Sequence, residues 1–350
     1  MPIRWRFGRQ LAAIGVVAVF VPALLFALAT MAAGDSAPNA CGQTITADLS
    51  LSKDLTFCPA DGLIAGADDI TIHLRGHVIS GLGTNPDSAG IRVSGRMNVT
   101  ILGPGTVTLF RTGVFIAFSR EVTVREVSAL SNGLMALFPP PSLSDGIRVT
   151  ASTDVWLERN LAKGNGDDGI HVHTSLKVGI VRNQVVDNYH AGIRLDRTHD
   201  SVIVSNRVSR HDTFEVVPPE TTAREVGVGI ELWGSKNNTI ERNRVVGNHN
   251  GIRLRAYAAI ASTGNVVERN VVSESAVRGI HLRDESTSSN EITMNWIAGN
   301  AAGIRLTNGP TGNLIFGNRI RENRCGIKGP TESNSLEDNH FARNDADFCP

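Results

Sequence analysis

The stretch Asn160-Leu161-Ala162-Lys163-Gly164-Asn165-Gly166-Asp167-Asp168-Gly169-Ile170-His171-Val172-His173 holds every element of the pattern that decides the fold. A short apolar strand follows one asparagine, a second asparagine stands five residues later, and a Gly-Ile pair opens an alternating strand. The same arrangement returns along the chain. Gly-(Ile/Val) pairs begin at Gly90, Gly113, Gly146, Gly169, Gly192, Gly229, Gly251, Gly279, Gly303 and Gly326, most of them 22 to 24 residues apart. Asn160, Asn183, Asn206, Asn243, Asn270, Asn295, Asn318 and Asn339 form one asparagine file, and Asn165, Asn188, Asn248, Asn300, Asn323 and Asn344 form a second.

A period near 23 residues with occasional insertions marks a solenoid. Strands of three to five residues with period-two alternation, and no sustained helical pattern, cannot bury a face alone; coils stacked ~4.8 Å apart can. The expected fold is therefore a parallel β-helix. Gly and Asn between the strands are read as corner residues that accept left-handed backbone, with the asparagines bonding along their files.

The composition agrees. Apolar residues make up 41%, charged residues 19% and aromatics 5%, which excludes a disordered chain and suggests narrow aliphatic layers. Lys+Arg and Asp+Glu are both 34, so no global field recruits nucleic acid. Arginine outnumbers lysine 29 to 5. Arg4, Arg6 and Arg9 precede the apolar run Leu11 to Ala29, which reads as a signal peptide over residues 1–33, with an N-terminal anchor as the alternative. Nothing else is expected to cross a membrane, and residues 34–350 are expected to form one secreted or periplasmic β-helix domain. Cys41 and Cys58, and Cys325 and Cys349, are expected to pair as local disulfides at the two ends. Insertions are expected near 134–143, 211–226 and 255–264, where loops of a solenoid often wall a binding cleft.

The repeat Asn-x-(hydrophobic)-x-x-Asn, closing on Asn-x-x-Gly-Ile, resembles the right-handed parallel β-helix repeat proteins: the NosD-like periplasmic proteins and the wider pectin-lyase-like superfamily. The resemblance covers about residues 41–350. It implies an all-β, single-stranded right-handed solenoid of roughly ten to eleven coils. It leaves activity open, because lyases, hydrolases, epimerases, adhesins and non-enzymes share this architecture.

Two features bear on function. On each Gly-Ile strand the residue after Ile points outward, giving the file Arg92, Phe115, Arg148, His171, Arg194, Glu231, Arg253, His281, Arg305 and Lys328. Stacked like charges repel, so this file either pairs with carboxylates or grips an anionic ligand such as acidic polysaccharide. Arg92, Arg148, His171, Arg194 and Arg253 are its candidate substrate-binding residues, and Trp233 a stacking platform for a sugar ring.

The second feature spans three coils. Asp145 and Asp167-Asp168 precede their Gly-Ile pairs, and His190 precedes the next. Asp145 and Asp168 share a file and should stand about 5 Å apart, a spacing that splits carboxyl pKa values into an acid and a base. This resembles the polygalacturonase-type glycoside hydrolases, which implies catalytic roles for Asp145, Asp167, Asp168 and His190. A lyase or epimerase would instead use the arginines to neutralise a uronate and His171 or His190 as base. Asp before a corner Gly is also ordinary turn chemistry. His171-x-His173 is a weak candidate metal site, with copper or calcium as the ions to consider and no cofactor as the leading expectation.

The expected function is binding of acidic polysaccharide by a monomer, with cleavage or modification at the Asp/His patch. The alternative is a non-enzymatic scaffold, either a NosD-like metal-associated accessory protein or an adhesin.

Overall fold

The computed structural model describes residues 40–133, 144–211, 227–329 and 332–350. The expected signal segment and the insertions at 134–143 and 211–226 lie outside these residues, apart from His211. Residues Asn39–Pro350 form one compact unit. No helix among the described residues is long and apolar enough to cross a membrane.

The described chain is all-β, a right-handed parallel β-helix. Each coil contributes one strand, a Gly-(Ile/Val) strand in ten of them, to a sheet of thirteen parallel strands that runs from Gln43–Ile45 to Ala346–Cys349. Two further parallel ladders form the other faces, joined where Thr100–Thr108 and Thr123–Leu130 run through both. Period-two alternation sends Ile147, Val149, Leu157 and Ala162 of one coil inward, all fully buried, above Ile170, Val172, Ile180 and Val185 of the next. A continuous aliphatic column is the result, and its favourable burial is what each coil lacks alone.

The asparagine files form buried amide ladders. Asn183 is typical: its Nδ2 donates to Leu157 O at 2.8 Å and to Asn206 Oδ1 at 3.1 Å, while its Oδ1 accepts from the backbone and side chain of Asn160. A third file, Asn238, Asn265, Asn290, Asn313 and Asn334, does the same; it is the first asparagine of the repeat Asn-x-(hydrophobic)-x-x-Asn. In the second file His211 replaces an asparagine: the Asn188 N–H donates to its Nδ1 at 3.1 Å and its own N–H donates to Asn248 Oδ1.

The expected role of the corner residues holds for glycine and needs correction for the file asparagines. The left-handed positions are the residues before those asparagines: glycine at Gly164, Gly247, Gly299 and Gly317, and non-glycine residues with φ of 53 to 58° at Arg159, Arg182, Ser205, Arg242 and Arg269. The glycine of Gly-Ile is required for space instead. A Cβ on Gly169 would lie 2.4 Å from Val185 Cγ1 and 2.6 Å from Asn188 Nδ2. Both predicted disulfides are present, Cys41–Cys58 and Cys325–Cys349, one in each terminal region of the solenoid.

Candidate functional site

The predicted outward file is continuous: Arg92, Phe115, Arg148, His171, Arg194, Glu231, Arg253, His281, Arg305 and Lys328 are successive register partners. Its cations are largely engaged by carboxylates. Arg92 bonds Asp61 through Nε at 2.6 Å and Nη2 at 2.9 Å. Arg253 is buried and contacts Glu231 Oε1 at 2.8 Å through Nη2, and Arg255 Nε reaches the same oxygen at 2.7 Å. Burial alone would raise the Glu231 pKa, but Arg253, Arg255 and Arg194 hold it well below the usual carboxylate range. An accessible ladder of unpaired arginines is therefore not what the strand face presents.

Trp233 is half-buried. Its Nε1 donates to Ala256 O at 2.7 Å, and the guanidinium carbons of Arg255 and Arg194 stand 3.9 and 4.7 Å from its ring centre. Tyr257, from the 255–264 insertion, packs edge-on at 4.7 Å. The ring expected to face a sugar is thus already part of a cation–aromatic cluster.

The four predicted acid–base residues do come together, but not as equals. Asp145 and Asp168 are fully buried, whereas the side chains of Asp167 and His190 keep 13% and 14% of their surface exposed. Asp168 donates its N–H to Asp145 Oδ1 at 3.1 Å. Arg148 Nη1 lies 2.9 Å from Asp145 Oδ2 and 3.0 Å from His171 Nδ1. His190 Nδ1 meets Asp168 Oδ1 at 2.8 Å and Asp167 Oδ1 at 3.7 Å. Arg194 Nη1 approaches Asp168 Oδ2 at 3.6 Å.

This crowding separates the carboxyl groups electrostatically. Burial pushes Asp145 upward, yet the hydrogen bond and charge of His171, with Arg148, bring it down to about 2. Burial raises Asp168 to about 6 against the pull of Arg194 and His171. Burial, then the charges of Asp168 and Asp145, raises Asp167 to about 8. Burial and Arg194 lower His190 to about 4. At neutral pH the accessible edge thus pairs a protonated carboxyl with a neutral imidazole, while Asp145 is ionised behind them. Of the four predicted residues, Asp145, Asp167, Asp168 and His190, only Asp167 and His190 keep side-chain surface open to solvent.

The chain matches the family model described as periplasmic copper-binding protein (NosD) over residues 68–222 and 219–348, and it belongs to that family. No curated protein matches the sequence. Among solved structures it is similar to the periplasmic alginate epimerase AlgG, at 15% identity and TM-score 0.56 over 90% of this chain and 79% of that one. It is also similar to PfbA, a surface adhesin of Streptococcus pneumoniae, at 15% identity and TM-score 0.61 over 87% and 80% of the chains. A third neighbour is the A-module of the Azotobacter vinelandii mannuronan C-5 epimerase AlgE6, at 13% identity and TM-score 0.52 over 86% and 91%.

The family description raises the question of copper. Copper(I) favours thiolate and thioether sulfur, and all four cysteines are tied in disulfides. Copper(II) accepts imidazole and carboxylate, and three such sets have donor atoms within 4.8 Å of one another: His171/His173/Asp196, Asp145/Asp168/His171 and Asp167/Asp168/His190. In the first, Arg197 Nη2 lies 2.7 Å from His173 Nε2, and in the second Arg148 occupies the space between Asp145 and His171. In the third, His190 Nδ1 is bonded to Asp168. Guanidinium groups already supply the positive charge in the first two sets, and Arg194 Nη1 stands 3.6 Å from Asp168 Oδ2 in the third, so the donors as arranged do not fit copper. Calcium wants about six to eight oxygens, more than the one or two carboxylates of any set provide.

Proposed function

We propose that this chain is an exported β-helix protein that binds acidic polysaccharide and acts on it by acid–base chemistry at Asp167 and His190. The observation that carries this reading is that Asp167 and His190, on adjacent coils, stand at the accessible edge of a buried charge cluster beside Arg194, where burial favours the protonated carboxyl and the neutral imidazole. Asp168 accepts the His190 Nδ1–H and so leaves Nε2 with its lone pair, the orientation a general base requires. Arg194 offers positive charge to a uronate carboxylate, which acidifies the neighbouring C5–H.

The fitting reaction is β-elimination. His190 Nε2 takes the C5 proton, the C5–H electron pair becomes the C4–C5 double bond, and the C4–O4 bond breaks as Asp167 delivers its proton to O4. A proton passed from His190 to Asp167 through solvent restores the site. The uronate class is supported by the fold neighbours named as alginate and mannuronan epimerases, and export by the basic-then-apolar N-terminus and the periplasmic family description.

Incubation with pectate, alginate and neutral glycans tests the reading. Expected are new reducing ends with unsaturated-uronate absorbance on an acidic glycan, and their loss in Asp167→Asn and His190→Ala. Reducing ends without that absorbance would indicate hydrolysis instead. No turnover on any glycan would favour the scaffold reading, to which the carboxylate-saturated arginines Arg92 and Arg253 already lend weight.

A further inference from the structure

After each Gly-Ile strand the chain turns through a left-handed residue whose N–H still belongs to the sheet ladder: Gly95, Phe118, Ala151, Thr174 and Arg197 on successive coils. Most of these are small or polar. Phe118 is neither. It holds φ of 50° with a bulky side chain and leaves 71% of its surface in water. Left-handed backbone costs a non-glycine residue roughly 1–2 kcal/mol, and an exposed aromatic gains nothing from burial. Its N–H donates to Thr150 O at 3.0 Å, so the ladder fixes the strained geometry. Left-handed backbone is ordinary at these corners, and Phe57 combines it with the same exposure; what distinguishes Phe118 is that its ring borders a groove.

The ring stands over a groove of about 750 Å³ that runs along this corner from Asp68 to His199. Six coils at ~4.8 Å spacing make it on the order of 25 Å long. Met97 and Leu176 add exposed apolar surface to its walls, and its floor is small, from Ala151 to Ser175. Arg96, Arg120, Arg197 and His199 line it with Asp68; Arg120 Nε stands 3.2 Å from Glu121 in a solvent-exposed pair and Arg197 Nε 3.3 Å from Asp196. Arg197 also contacts His173 and Asp196 and so borders the charge cluster.

We propose that this groove is a second site, one that holds a linear acidic glycan laid parallel to the helix axis, with a sugar ring stacked on Phe118. A sugar residue in an extended chain advances by a length close to the coil spacing, so successive coils meet successive sugars. The arginines then face the carboxylates. The class of polymer rests on the reading above; the groove itself does not use Asp167 or His190.

Calorimetric titration of the full chain with di- and hexasaccharides of guluronate and galacturonate tests it. The hexasaccharide should bind at least about tenfold more tightly than the disaccharide, and Phe118→Gly and Arg120→Ala should each remove about tenfold of that affinity. Phe118→Gly should meanwhile raise the melting temperature, because glycine relieves the left-handed strain. Hexasaccharide binding that ignores both substitutions, no preference for the longer ligand, or equal binding of cellohexaose would overturn the proposal. If wild type turns over no glycan but binds the hexasaccharide in a Phe118-dependent way, the groove stands and the elimination reading falls.

Discussion

At the scale of single residues, position in a repeat and exposure of a side chain are different facts. The 23-residue spacing of Asp145 and Asp168 correctly placed them on neighbouring coils, and the placement of Asp167 and His190 followed. Burial was not legible, because it depends on what lies over a strand face rather than on the alternation within it. The counterions were only partly legible. Glu231 stood in the file itself, but Asp61 comes from 31 residues away to neutralise Arg92. One consequence concerns Asp167. Its folded pKa of about 8 exceeds its ordinary value, so the folded state keeps a proton that the unfolded chain gives up. Stability from that group is present below about pH 4 and lost as pH rises toward 8. Asp167→Asn should therefore stabilise the protein at neutral pH by on the order of 2 kcal/mol while abolishing turnover, read by denaturant melts beside the glycan assay. Turnover in wild type should fall off below about pH 4, as His190 charges, and above about pH 8, as Asp167 ionises. Glu231→Gln should act the other way. It strips the buried Arg253 and the half-buried Arg255 of their counter-charge and should cost about 3–5 kcal/mol in the same melts.

At the scale of the element, the asparagine ladders carry the corners. Asn243 donates to Ile203 O and Asn270 Oδ1, and accepts from both the backbone and side chain of Asn206. Asn243→Ala strands those buried partners and should cost about 2–3 kcal/mol, whereas Asn339→Ala, in the half-buried last member of the file, should cost less. Equal losses from urea midpoints would mean that the ladder does not act through burial. All three ladders were legible from spacing: the repeat carries three asparagines, and each member of the third file stands five residues before one of the first. His211 broke the composition of its file and hid its membership. Burial lowers its pKa to about 4, so the unfolded chain takes up its proton first, and stability present above about pH 6.5 is lost as pH falls toward 4. His211→Asn fits the ladder and should flatten that part of the stability profile by up to about 3 kcal/mol.

For the whole molecule, the fold was legible because each coil repeats the same solution: an aliphatic column inside, amides at the corners, and glycine where neighbouring backbones close in. Chemistry was less legible because it occurs once, on three coils, and breaks no rule of the repeat. The amide files all point the same way and each coil contacts only its neighbours. Any one turn is therefore a replaceable slice. Excising residues 270–294, which run from one ladder asparagine to the residue before the next, should bring Asn243 directly onto Asn295 and leave a cooperatively folding rod one layer shorter. Its glycan chemistry, housed upstream, should persist.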